Sequence, residues 1–495
     1  MYFRKNLLKI IVFAIILSFI ILSMTSVTVA DTKIDISKPV ELKWFVIGEG
    51  DQPDISLVED SVNKYIKDKI NATIILKTFG WDIYQQKMAL MIAAGEPFDM
   101  CFTSNWSVYY YPYASMGVFT DLTDMLDTYA PKTKALLGKN ILKGAEVKGR
   151  VYAIPSYQKN ITNSYGLLFN KSLVNKYKIN ISKIKKLADL EPIFKSVKAK
   201  SPKVIDFYPL DTTGKYSVFS TLNFDELTGL KLPGSVEIYG KNTKVVNQYD
   251  TPTAKSLFSL MNKWYKKGYI SKSSKDQDFF TKNQNNILAF YSLLDPFIQE
   301  DLHDYNNLEV LPVELSKPFI SSNSVTSCMQ GISATSLNPE RALMFLELVN
   351  TDEKLANMVN YGIEGTHFEI IGAKTIDFLP DANKYIPGAG PIFGNSSILY
   401  QISDYTPKNW DRLDKSVKNA AISPLLGFNF NSQYVVNQLN KLEEITNKYY
   451  TDLSIGKLDP AVYLPKMNKE FKNAGLQKVL TEAQKQVDVF VKAKK

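Results

Sequence analysis

The chain has 495 residues, more than one hydrophobic core ordinarily organises, so two or more lobes are expected. An apolar content of 45% fits a soluble globular protein. The formal charge of +9 is carried almost wholly by lysine, with arginine only at positions 4, 150, 341 and 412. No basic cluster is interleaved with stacking aromatics, which argues against nucleic acid as a partner.

At the start, Arg4, Lys5 and Lys9 precede an apolar run from Ile10 to Leu22, and Thr28-Val29-Ala30 offers small residues for cleavage before Asp31. This reads as a secretory leader over residues 1–30, with an uncleaved signal anchor as the other possibility, since a tilted helix extends a short apolar core. No cysteine lies near the cleavage site, so lipid attachment there is excluded.

Glu41 to Ile47 reads as a buried strand, followed by a helix capped by Asp54 with Val58, Val62, Tyr65 and Ile66 on one face. A strand at Ala72 to Phe79, a helix from Asp82 closed by Gly95, and a strand at Phe98 to Phe102 complete a βαβαβ order. Such alternation calls for a parallel sheet with ligands at the carboxyl ends of its strands. The loops Gly48-Glu49-Gly50-Asp51 and Thr103-Ser104-Asn105-Trp106 stand at such ends. Glu49 and Asp51 suit either a solvated turn or sugar hydroxyls; Trp106, with Tyr109, Tyr110, Tyr111 and Tyr113 behind it, offers flat faces to a sugar ring or packs a lobe edge.

The chain turns on Lys148 to Asn170, where two apolar runs, Val151–Ile154 and Tyr165–Phe169, flank a polar link, and Pro155 ends the first strand. This is expected to cross between lobes. Beyond it, Asp206 to Gly240 carries no clear period. Thr251 and Pro252 open a helix that buries Trp264; Asn285 to Leu294 and Leu308 to Val313 return as strands, with Tyr291 lining a cleft or buried. Val325 to Ser333 reads as a strand, Asn338 and Pro339 open a helix, and the glycines around Glu364 mark a bend suited to another crossing. His303 and His367 have no metal-ligand spacing, and Cys101 and Cys328 suit two buried thiols better than a bridge. The last third is helical, with apolar stripes through Val435–Tyr449, Leu464–Phe471 and Val479–Phe490.

Several strings taken together resemble the extracellular solute-binding proteins of ABC importers, the maltose-binding type. They are Gly95-Glu96-Pro97-Phe98-Asp99, Lys148-Gly149-Arg150-Val151-Tyr152-Ala153-Ile154-Pro155, Leu168-Phe169-Asn170-Lys171, Trp264-Tyr265-Lys266-Lys267-Gly268, Asn338-Pro339-Glu340-Arg341-Ala342 and Tyr361-Gly362-Ile363-Glu364-Gly365. The tail, with Ser423-Pro424-Leu425-Leu426-Gly427-Phe428 and Asp459-Pro460, is similar to an uncharacterised C-terminal domain of a Gram-positive branch. The resemblance implies an α/β fold of two lobes with largely parallel or mixed sheets, joined by a multi-crossing hinge (periplasmic-binding-protein-like, type II) with a helical C-terminal part. The first lobe is placed at 31–155 plus 312–368 and the second at 156–311 plus 369–495.

It also implies a non-catalytic, exported, monomeric binder without cofactor or metal, which captures an oligosaccharide or similar polar solute by hinge closure and delivers it to permease subunits. Ligand contacts carried over are Glu49, Asp51, Asn105, Trp106, Asn163, Tyr165, Tyr291 and, from the second lobe, Trp410. The missing lipidated cysteine departs from most Gram-positive members and leaves a retained leader helix or free secretion as ways to reach the permease. Two other readings are a secreted carbohydrate-active enzyme using paired carboxylates, and a ligand-loaded co-receptor for a sensor kinase. No GxSxG elbow, HExxH helix or phosphate loop supports the enzyme.

Overall fold

The computed structural model describes residues 34–494 apart from Asn163, Lys241, Ala389 and 403–406. The expected leader lies outside the described residues. The chain divides into a short unit, Met1–Pro39, and a compact one, Val40–Lys495. In the short unit residues 34–39 form no helix or strand, and Ser37 N–H donates to Asp35 Oδ1 at 2.9 Å. Among the described residues no helix is long and apolar enough to cross a membrane.

Two sheets organise the compact unit. The first uses β1 (Val40–Gly48), β2 (Ala72–Gly80), β3 (Met100–Thr103) and β4 (Ala153–Pro155); the second uses β5 (Ser164–Asn170), β6 (Ile205–Tyr208), β7 (Ile287–Leu294) and β8 (Val310–Glu314). The chain then returns to the first sheet as β9 (Met329–Ile332), which gives the orders β2-β1-β3-β9-β4 and β8-β5-β7-β6. β1 runs parallel to β2 and β3, as βαβ connections demand, whereas β9 is antiparallel to β3 and β4. In the second sheet only the β7–β6 pair is parallel.

Each sheet carries its own core. β1 reads VELKWFVIG, and Leu42, Trp44 and Val46 are wholly buried, each worth about 1.5–3 kcal/mol relative to exposure. They meet Val58, Val62 and Ile66 of helix Ile55–Ile70, the face the periodicity predicts. The second core packs β5 and β7 against helix Pro252–Lys266, whose Thr251 accepts Ala254 N–H and whose Pro252 occupies the first turn. Helices Val436–Ser454, Pro460–Asn473 and Leu476–Ala493 bury the predicted stripes: Leu439, Leu442 and Tyr449, then Leu464, Met467 and Phe471, then Val479, Ala483 and Val487. Both cysteines are free; Cys101 is buried and Cys328 half-buried.

Three stretches join the sheets. The first runs from β4 to β5, where Pro155 is the last strand residue, as expected. The second runs from β8 to β9. The third leaves the first lobe near Ala421–Ile422, which pairs in parallel with Phe319–Ile320 of the second stretch.

Lobe boundaries differ from those expected at two places. Position 312 falls inside β8, whose Val313 belongs to the second core, so the chain leaves that lobe only after Glu314. After 368 it stays in the first lobe, because Tyr385, Ile392, Phe393 and Leu413 complete the first core. The glycine bend at 362–365 is accordingly no crossing. Gly362 has φ +86°, and the adjacent His367, fully buried, accepts Ile363 N–H at Nδ1 (2.9 Å) and places Nε2 3.3 Å from Asp54 Oδ2. Asp54 therefore stands at the helix start without capping it.

Candidate functional site

The parallel strands β1, β2 and β3 end together, and each is followed by a polar or aromatic group. After β1 comes Glu49; after β2, Trp81; after β3, Asn105 and Trp106. The Trp81 indole donates to Glu49 Oε1 at 2.7 Å, and the Trp106 indole donates to Ser327 O at 2.7 Å. Their rings lie 6.2 Å apart with 22° between planes, and Trp106 also leans on Phe102 at 5.4 Å. Both keep nearly half their surface exposed, 45% and 44%. With the N–H edges held, the two indoles form one oriented apolar platform, a shape suited to the apolar face of a sugar ring.

The loops beneath are rigidly held. Ser104 Oγ accepts the N–H groups of Trp106 (3.1 Å) and Ser107 (2.8 Å), which folds the β3 loop on itself. Gly50, at φ +81°, turns its carbonyl to Thr78 Oγ1 and to Gln52 Nε2 (2.9 Å). A Cβ at Gly48 would overlap the Pro387 carbonyl, so glycine lets the segment through 388 cross the end of β1. Asp51 is exposed on this rim.

The facing wall comes from the second lobe. A two-stranded antiparallel pair, Phe224–Glu226 with Ser235–Glu237, carries Asp225 and Glu226. Asp225 accepts from Ser423 Oγ, and burial pushes its carboxyl up to about 6. Glu226 accepts Lys231 N–H at 3.0 Å, and burial pushes it up to about 7. Tyr165, at the start of β5, donates its N–H to Ser316 Oγ (2.7 Å) and packs 5.6 Å from Phe319; burial, then Glu226 and Asp225, raise its phenol far above the tyrosine range. Tyr216 and Tyr239 are each 43% exposed, and Tyr239 donates to Lys317 O.

The second crossing is the floor between the two walls. Asn323 accepts Asn105 Nδ2 at its carbonyl (3.0 Å) and donates its own amide to Glu226 O at 3.5 Å, so a single residue links the Trp106 loop to the acidic strand. Ser327, which holds Trp106, accepts Gln158 Nε2 of the first crossing at 2.8 Å.

Of the residues expected at the site, Glu49, Asn105 and Trp106 form one cluster on the first-lobe rim, with Asp51 beside it, and Tyr165 stands on the opposing wall. Tyr291 is 1% exposed behind Tyr165, with ring centroids 6.4 Å apart, so it backs the wall instead of lining it. Asn163 lies outside the described residues. Trp410 is not a second-lobe residue: its helix, Pro407–Asn419, packs on the first core through Leu413, and the indole meets Phe297 at 4.6 Å. That contact leaves its ring half-buried, packed against the first core.

Trp81, Tyr216, Tyr239, Glu226 and Asn323 were not legible beforehand. Trp81 alone had a signal, since it follows β2 as Trp106 follows β3. The others belong to stretches without helical or strand period.

Among the described residues no group of His, Cys, Asp and Glu is arranged to hold a metal ion. A depression of about 540 Å³ between helices Pro252–Lys266 and Pro460–Asn473 is unrelated to the strand ends, and its Lys266–Asp459 (3.0 Å) and Lys255–Asp250 (2.7 Å) charges are paired with each other.

Residues 60–363 match the model for bacterial extracellular solute-binding proteins, and residues 424–492 match a domain of unknown function. A carbohydrate ABC transporter substrate-binding protein of Streptococcus pneumoniae serotype 4 is 31% identical over 474 residues, 92% of either chain. The crystal structure of the N-glycan transport solute-binding protein of Streptococcus pneumoniae is 30% identical, covers 92% of this chain and 100% of its own, and has a TM-score of 0.79. The complex of that protein with Man5GlcNAc, 29% identical over the same shares, has a TM-score of 0.64.

Proposed function

The chain belongs to the bacterial extracellular solute-binding proteins, and from that premise we propose that it captures an oligosaccharide outside the cell and hands it to the permease of an ABC importer. The observation that carries this reading is the exposed Trp81–Trp106 platform at the carboxyl ends of parallel strands, with Glu49 and Asn105 beside it to accept from and donate to hydroxyls. Glu49, Asp51, Asn105 and Trp106 with Trp81 supply the first wall, and Tyr165 and Tyr239 the second; Asn163, two residues before Tyr165 in sequence, is proposed as a further ligand contact.

Closure of two lobes about their crossings would bring these walls onto the ligand. At nearly equal identity, the lower TM-score against the Man5GlcNAc complex than against the other structure of that relative is what a different lobe arrangement produces.

The role is binding without chemistry. Asp225 and Glu226 are consecutive on a strand, so their side chains leave opposite faces and cannot flank one glycosidic bond. Nothing favours a sensor kinase over the permease as partner. The leader of residues 1–30 serves export, and in the absence of a lipidated cysteine a retained leader helix or free secretion brings the protein to its permease.

Calorimetric titration with mannose- and N-acetylglucosamine-containing oligosaccharides tests the reading. Binding without the appearance of new reducing ends is expected. Binding of peptides with no response to any sugar would overturn it.

A further inference from the structure

The two indoles of the platform are anchored differently. Trp81 donates to the side chain of Glu49, on an exposed loop of its own lobe. Trp106 donates instead to a main-chain carbonyl, Ser327 O at 2.7 Å, in the stretch that carries the chain from β8 back to β9. Two further bonds run the same way: Asn105 N–H donates to Thr326 O at 2.8 Å, and Asn105 Nδ2 donates to Asn323 O at 3.0 Å. The loop after β3 therefore hangs from residues 323–327 of a crossing between the sheets.

That stretch is in turn bonded to the first crossing. Ser156 N–H donates to Cys328 O at 3.0 Å, which extends the β4–β9 pairing beyond Pro155 and Met329. Two residues on, Gln158 Nε2 donates to Ser327 Oγ at 2.8 Å, and the Ser327 hydroxyl donates to Ser324 O at 2.9 Å, closing the short helix Ser322–Val325. Ser327 is thus held through its side chain and holds Trp106 through its carbonyl. Gln158 is 4% exposed, so its amide has almost no surface to offer a solute. A contact residue keeps its geometry only when the groups behind it are themselves locked by hydrogen bonds and packing.

We infer that Gln158 is a positioning residue for the site: through Ser327 it fixes the carbonyl that orients the Trp106 indole, and so sets sugar affinity without touching sugar. The route is short, from Gln158 Nε2 to Ser327 Oγ and from Ser327 O to Trp106 Nε1, with a single residue between the amide and the platform. It also ties the platform to two of the stretches that bend in a hinge closure, since Gln158 belongs to the first crossing and Ser327 to the second. Trp81 stands outside this route, its N–H bond ending on Glu49. Loss of the Gln158 amide removes the donor that pins the Ser327 hydroxyl, lets the turn shift, and tilts one indole against the other.

This rests on the platform being the sugar site, and the test separates the two. Gln158→Met keeps the length of the side chain without its amide, and Ser327→Ala removes the hydroxyl while keeping the carbonyl. Both variants and the unaltered protein are titrated with a mannose- and N-acetylglucosamine-containing oligosaccharide. Each substitution should weaken binding by about fivefold, and the double variant by no more than either alone. Once Trp106 is alanine, neither should weaken binding further by more than about twofold. Near-ultraviolet circular dichroism without sugar should move in both variants toward the spectrum of Trp106→Ala, with urea unfolding midpoints showing that each chain is folded. Unchanged affinity in both variants overturns the proposal. A loss that persists at full size in the Trp106→Ala background places the effect elsewhere and overturns it too. Failure of every oligosaccharide to bind the unaltered protein overturns the carbohydrate reading, and the circular dichroism, which needs no ligand, then decides by itself whether Gln158 orients Trp106.

Discussion

The rim of the first sheet and the heart of the second lobe are both rich in aromatic side chains, and they use them in opposite ways. At the rim, Trp81 and Trp106 have partners for their N–H groups and leave nearly half their surface exposed. In the second lobe Trp264 is fully buried, edge-on to Phe194 at 5.0 Å and Phe207 at 5.4 Å, and its Nε1 has no hydrogen-bond partner. A core tolerates one unmet donor because so much apolar surface is removed from water around it; an exposed platform must instead be oriented, and its N–H bonds orient it. Place relative to a strand end, not residue type, separates a binding tryptophan from a structural one.

That contrast breaks most visibly at Trp264. Trp264→Ala should cost about 3–5 kcal/mol of folding stability by urea unfolding while leaving the sugar affinity of the folded protein unaltered. Loss of affinity without loss of stability would place Trp264 in the site. At the rim the reverse is expected. Trp106→Ala and Trp81→Ala should each weaken oligosaccharide binding by about 2 kcal/mol or more, roughly thirtyfold, with folding stability within about 0.5 kcal/mol of the parent.

A buried charge sharpens the comparison. Asp206 on β6 has no exposed surface and no hydrogen bond to either carboxyl oxygen, with Lys198 Nζ at 3.5 Å, and burial pushes it up to about 7. An unfolded aspartate titrates near 4, so between about 4 and 7 the folded chain holds a proton the unfolded chain has released, and stability falls as pH rises through that window. Asp206→Asn should remove much of the fall, gaining on the order of 2 kcal/mol at pH 8 and little at pH 4, as read from unfolding midpoints across pH. The smallest effect is expected at Glu49. Glu49→Ala releases the Trp81 N–H and should cost about 1 kcal/mol of binding, with a shift in Trp81 fluorescence and no change in the unfolding midpoint.

Much of the fold was legible because its signals are local. Periodicity placed β1, β2 and β5, the face of helix Ile55–Ile70 and the stripes of the three C-terminal helices, and Pro155 marked the first crossing. The carboxyl-end rule pointed to Glu49 and Trp106. The acidic wall was not readable, since Phe224–Glu226 and Ser235–Glu237 are three-residue strands, too short for a period.

Residue order alone therefore determined the βαβαβ start of the first sheet and the C-terminal helical stripes, and pointed to Glu49 and Trp106 at strand ends, because strand and helix periods, caps and proline act within a few residues. Only the tertiary structure decided that Trp81 joins Trp106, that residues 385–413 stay with the first core, that Trp410 packs against Phe297, and that Asn323 ties the Trp106 loop to the strand carrying Glu226. Those outcomes depend on contacts between positions far apart in the chain, where burial and hydrogen bonding across loops overrule any local pattern.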